Sequence, residues 1–234
     1  MYYICDVGPT DLKKQEGGIF MLWGPNTDEA RAIVDEALTH VRDVNHFDWT
    51  FIAILALVFI GVYVPHIKEK KWDAIGAALG LYGIHWLCEI VNAVICHFAG
   101  YGMWHVTQSS TSFILLIGVS WELSMMFSIA GFGIELMPED KHAKIMGINN
   151  RVFFVLSMSL GFSIFEIFLA STSAFQWVWP FWGAIPVWIL VYIPFFIAAV
   201  LGYDLKGKKK KIYLAAIWAQ VALALAILCP LGII

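Results

Sequence analysis

Apolar residues fall into six runs long enough to cross a bilayer, at 49–64, 74–99, 111–137, 152–170, 185–203 and 212–234. A helical span needs roughly 17–25 mainly apolar residues, so the first run is the shortest and requires flanking residues or local thinning. Inside hydrocarbon a helix satisfies its own backbone groups, whereas a barrel needs alternating segments of about ten residues, and that alternation is missing. The predicted fold is an all-α integral membrane protein of six transmembrane helices over 49–234. An N-terminal region, 1–48, precedes them. Within it Thr27 can cap a helix with Asp28 and Glu29 in its first turn. Ala30, Ile33, Val34, Ala37, Leu38, Val41 and Val44 then recur on one face, which predicts an amphipathic helix over 27–45. The apolar stretch 17–23 is too short to span and can only dip into the interface.

Composition agrees with this division. Of 234 residues, 60% are hydrophobic and 14% charged, against about 25% charged in an ordinary soluble domain. Residues 1–15 lack the basic start and apolar run of a cleavable signal, so the N-terminal region is expected to be retained. Cys5, Cys88, Cys96 and Cys229 have no C-x-x-C spacing, which supports neither a disulfide framework nor a zinc site.

Charge location matters more than the net value of −3. Lys68, Lys70 and Lys71 occupy loop 65–73, Lys141, Lys144 and Arg151 loop 138–151, and Lys206 and Lys208 to Lys211 loop 204–211. Loops 100–110 and 171–184 carry no Lys or Arg. Basic loops stay cytoplasmic, so both termini are expected outside. The lysine run at 206–211 then meets anionic lipid and sets topology. Trp177, Trp179, Phe181, Trp182 and Trp188 read as an aromatic belt at headgroup level, with an aromatic-lined ligand mouth as the alternative. Pro180, Pro186 and Pro194 predict a kinked fifth span.

The polar residues inside the runs carry the candidate chemistry, because an intramembrane ionisable group is costly and points to function. Tyr82, His85, Glu89, Asn92 and Cys96 form one helical stripe in the second span. At about 1.5 Å rise per residue, His85 lies near the midplane, with Glu89, Glu122 and Glu166 about 5, 3 and 7 Å outward. Ser159, Ser163 and Glu166 make a second stripe. Ser120, Ser124, Gly131 and Glu135 give the third span a small-residue face, suited to a central position.

His85, Glu89 and Glu122 are therefore the candidate catalytic residues, with Asn92, Glu166 and Tyr82 as candidate substrate contacts. The leading expectation is a membrane-embedded enzyme doing acid–base chemistry on a lipid, isoprenoid or other apolar substrate. A proton- or ion-coupled transporter is one rival, and a non-catalytic anchor or subunit of a larger membrane complex another. A hydrogen-bond network that only glues helices together is the bland alternative. His85, Glu89, Glu122 and Glu166 also admit a divalent metal, although His-x-x-x-Glu differs from the Glu-x-x-His of di-iron bundles. Haem is not supported, since only His85 is deep, and no nucleotide fingerprint or G-x-S-x-G elbow occurs. Expected partners are membrane lipids and a small apolar ligand, with a second copy or other subunits as alternatives and no nucleic acid.

Overall fold

The computed structural model describes residues 24–107 and 111–234. The expectations for residues 1–15, the stretch 17–23 and Cys5 lie outside the described residues. Helix α1 covers Asp28–Thr39, with the Thr27 hydroxyl accepting from the Ala30 N–H at 3.1 Å and Val34 and Ala37 buried. The amphipathic segment expected to run to residue 45 thus stops being α-helical at Thr39. After it, the chain lies along residues 112–114. The Arg42 N–H donates to the Ile114 carbonyl at 2.9 Å and the Asp48 N–H to that of Ser112 at 3.3 Å.

Five helices among the described residues are long and apolar enough to cross a membrane. These are α2 (Trp49–Lys68), α3 (Trp72–Ala99), α5 (Asn150–Ala170), the composite Ala184–Asp204, and α8 (Gly207–Leu228). Asp48 caps α2 by accepting from the Phe51 N–H at 3.0 Å. Large apolar side chains on α2, among them Phe51, Ile54, Leu57, Val58 and Ile60, stay exposed, which in water would be an unusually large greasy surface.

The third predicted span, 111–137, is where the structure departs from a continuous helix. It begins as a hairpin of β2 (Ile114–Leu116) and β3 (Val119–Ser120), turning at residues 117–118. Helix α4 (Trp121–Ala130) follows, capped by the Ser120 hydroxyl, and a 3-10 turn at Gly131–Leu136 ends it. An apolar run cannot by periodicity alone distinguish a buried strand from a buried helix.

α3 holds the centre of the bundle, a place the sequence reading gave to the third span. Its glycines allow α7 (Ile193–Asp204) to approach closely. A Cβ on Gly76 would stand 2.5 Å from the Gly202 carbonyl oxygen, and one on Gly80 2.6 Å from that of Ala198. The small-residue face of the third span also packs tightly, since a Cβ on Gly131 would meet the Ala78 Cα at 2.5 Å.

The fifth span changes register without breaking. Helix α6 (Ala184–Val187) widens into a π-helical turn at Trp188–Tyr192 and resumes as α7. Pro194 supplies the reason: it has no N–H for the carbonyl of residue 190, and its ring crowds that carbonyl. The ladder shifts register there, and the Ile193 N–H bonds to the Trp188 carbonyl five residues back.

At the basic end of the bundle the charges pair with one another. Asp73 binds Lys206 and Lys210, and Arg151 grips Asp204 at 2.9 and 3.1 Å while donating to the Pro138 carbonyl. Glu135 joins His66 at 2.7 Å and Lys71 at 3.7 Å. Part of the lysine run is therefore occupied within the protein as well as facing outward.

Candidate functional site

Helical spacing brings His85 and Glu89 onto one buried face of α3, with the His85 Nε2 3.7 Å from a Glu89 carboxylate oxygen. Neither His85 ring nitrogen has a hydrogen-bond partner among the described residues. The imidazole stacks on Phe127 of α4, with ring centres 4.3 Å apart. His85 and Glu89 line a cavity of about 30 Å³ together with Glu166 of α5 and Tyr192 of the π turn. Leu123, Phe165 and Phe195 close much of the remainder.

Each carboxylate is oriented by an indole. The Trp104 Nε1–H reaches both oxygens of Glu89 at 3.2 Å, and the Trp177 Nε1–H donates to Glu166 at 2.7 Å. The Tyr192 hydroxyl donates to the other Glu166 oxygen. Trp104 and Trp177 are cross-strand partners in an antiparallel ribbon of β1 (Trp104–Val106) and β4 (Phe175–Trp177). One short ribbon thus holds the carboxylates of two different spans. Gly118, in the turn of the β2–β3 hairpin, presses on the same place: a Cβ there would lie 2.5 Å from Glu89 and 2.6 Å from Asn92.

The other candidates have different placements. Asn92 is fully buried, but its amide fastens the loop after α3, donating to the Trp104 carbonyl at 2.8 Å and accepting from the Met103 N–H at 2.7 Å. It positions Trp104 instead of lining the cavity. Tyr82 shares a 2.8 Å hydrogen bond with Ser124 and also stands off the cavity. Glu122 corrects the sequence reading. Its carboxylate accepts from the Thr111 hydroxyl at 2.6 Å and from the Ser112 N–H, so from the first turn of α4 it braces the segment that leads into the hairpin. The quartet of His85, Glu89, Glu122 and Glu166 therefore does not converge as a ligand shell. The depth estimate failed because 111–120 is not helical.

Ser159 and Ser163 do face inward with Glu166, but each meets the fifth span: Ser159 accepts from the Trp188 indole and Ser163 donates to the Ala184 carbonyl, both at 2.8 Å. The aromatic cluster likewise differs from a headgroup belt. Trp179 and Trp182 are buried, Trp177 serves Glu166, and Trp179 donates to the Tyr101 carbonyl. Tyr192, Trp104 and Trp177 were missed as site residues. The only sequence signal for Tyr192 was Pro194 two positions on.

Beside the site, in β1, burial pushes His105 down to about 3, and its Nε2 accepts from the Gly102 N–H at 2.9 Å. The unfolded ring takes a proton below pH ~6.5, while the folded ring stays neutral until far lower, so acid favours unfolding across that window. From this residue alone, lowering the pH from 7 to 5 is expected to remove about 2 kcal/mol of stability. His105→Gln retains an acceptor for Gly102. Its thermal midpoint in detergent should fall less over the same pH range, and an equal fall in both proteins would refute the assignment.

Residues 31–230 match the family described as "Uncharacterized membrane protein family". A protein of Archaeoglobus fulgidus described as "Uncharacterized protein" is 37% identical over 181 residues, 76% of this chain and 85% of that relative. No solved structure matches the chain. With the match covering most of its length and five long apolar helices in a mostly helical fold, the chain belongs to this family of integral, multi-pass membrane proteins.

Proposed function

We propose that the protein is a membrane-embedded enzyme that performs acid–base chemistry on the polar end of a lipid, isoprenoid or similar apolar substrate. The observation carrying this reading is the adjacency of two spaces. The cavity with His85, Glu89, Glu166 and Tyr192 shares the side chains of Met126 and Phe165 with a groove of about 270 Å³. That groove is lined by Ser157, Met158, Gly161 and Phe162. A hydrocarbon body fits the groove, while its functional group passes Met126 and Phe165 to reach the carboxylates. His85 and Glu89 then exchange a proton with the substrate, and the Glu166–Tyr192 pair orients it or completes the transfer. The π turn adds support, because such turns are frequent at functional sites. In this reading loops 65–73, 138–151 and 204–211 are cytoplasmic and both termini face outward.

The groove gives a direct test. A Cβ at Gly161 meets nothing within 4 Å, so Gly161→Leu should fold normally while filling the groove. A diazirine-bearing long-chain fatty alcohol in the detergent micelle is expected to label Met126 and Phe165 in the parent protein. Labelling should drop by about tenfold in Gly161→Leu, in line with the 1.4 kcal/mol that a tenfold change represents. Undiminished labelling would remove the groove from the pathway.

A second reading, a small proton- or cation-coupled carrier, draws on the cavity volume of about 30 Å³, which is room for one or two waters. It predicts charge movement across proteoliposomes with no altered lipid.

A further inference from the structure

The segment that joins α1 to α2 carries a second group of chemistry-bearing side chains, separate from the intramembrane cavity. His40, Asp43 and His46 recur at three-residue intervals, and their ligand atoms all lie within 4.8 Å of one another. The His46 Nδ1 is 2.8 Å and the His40 Nδ1 3.8 Å from the same Asp43 oxygen, Oδ2. Both imidazoles therefore present the same nitrogen to one carboxylate oxygen, and the rings meet edge to face with centres 4.5 Å apart.

From these three side chains we infer a binding site for one divalent transition-metal ion, of the zinc or cobalt type, on the loop between α1 and α2. Imidazole nitrogens and a carboxylate oxygen bind such an ion at about 2.0–2.2 Å, which puts tetrahedral ligands about 3.4 Å apart. The two His–Asp separations, 3.8 and 2.8 Å, straddle that value, and all three ligand atoms already lie within 4.8 Å of one another. The His40 Nδ1 is buried and has no hydrogen-bond partner among the described residues, a costly arrangement that coordination relieves.

The carboxylate is already oriented. Its other oxygen, Oδ1, accepts from both the Asn45 N–H and the Asn45 side-chain amide at 2.9 Å, the supporting contact that ligating carboxylates commonly receive. His40 is also the residue that caps the C-terminus of α1, where the helix dipole favours a cation. With three protein ligands a fourth position stays available to water or to a further side chain. Because Arg42 and Asp48 in the same segment are bonded to residues 112–114, the ion would also tighten the strap that holds α1 on the hairpin.

The test is calorimetric titration of the purified full chain in detergent with zinc chloride, after stripping with chelator. One ion per chain is expected, with affinity at least tenfold weaker in His46→Ala and in Asp43→Asn. His46 is 44% exposed, so His46→Ala is expected to fold like the parent, and Asp43→Asn keeps an acceptor for Asn45. Zinc should raise the thermal midpoint of the parent protein and not of His46→Ala, and cobalt should give visible absorption typical of four- or five-coordination. Absence of binding at 100 µM free zinc would overturn the site, as would affinity unchanged in both variants.

Discussion

Conversion of the natural substrate is expected to fall by about 10²–10⁴-fold in Glu89→Gln, the range supplied by a positioned general acid or base. Glutamine preserves the shape of the side chain and an oxygen for the Trp104 indole, which Glu89 accepts at 3.2 Å. The substitution removes the group that can take up and release a proton and replaces one of the two oxygens facing Trp104 with an amide NH2. Glu122→Gln should stay within a few-fold of the parent, because Glu122 serves Thr111 and Ser112, just before the hairpin, and does not line the cavity. The measurement is mass spectrometry of lipids extracted from native membranes and incubated with each purified protein. Equal losses in the two variants would mean that the cavity is not the reacting centre. Full retention in Glu89→Gln would leave the carrier reading as the better one.

A second large effect is expected where α3 crosses α7. Gly76→Leu should destabilise the protein by about 3 kcal/mol, at the upper end of overpacking costs. The obstruction is the Gly202 carbonyl, 2.5 Å from where the first added carbon would sit. Backbone in a helix cannot step aside as a side-chain tip can, so the two helices must separate. Gly61→Leu on α2 is the control, since a Cβ there meets nothing within 4 Å and exposed substitutions usually stay within about 0.5 kcal/mol. Thermal unfolding in one detergent compares them. Similar midpoints for the two variants would show that the α3–α7 crossing is looser than its glycines imply.

What the amino-acid sequence disclosed about the fold follows from where burial and periodicity coincide. Five of the six apolar runs are helices of spanning length, because an uninterrupted apolar segment has one economical way to satisfy its backbone in hydrocarbon. The run at 111–137 looked the same and folds otherwise. Its first ten residues hold β-branched side chains and Gly118, and a short buried strand has the same apolar appearance as a turn of buried helix. The stripe of His85, Glu89 and Asn92 was legible because a continuous helix fixes angle as well as height. Glu166 was legible for the same reason on α5. Glu122 was not legible in this way, because the helix that carries it begins only at Trp121.

Tyr192 needed a turn of altered register, which Pro194 causes but does not announce. Trp104 and Trp177 illustrate a different limit. Their distance along the chain is large, and only strand pairing makes them neighbours. Tryptophans near span ends have a good general explanation at the interface, so nothing local distinguished these two from any other indole.

Since both indoles belong to one pleat of a single three-rung ladder, the two acidic side chains cannot be rearranged independently. Sliding β1 past β4 by one residue would flip every side chain on the moving strand to the opposite surface, releasing Glu89 or Glu166 from its donor and disturbing the other in the same stroke. The pair behaves as one mechanical unit whose setting is decided by a ribbon only three residues long on each side and not by the helices that carry the acids.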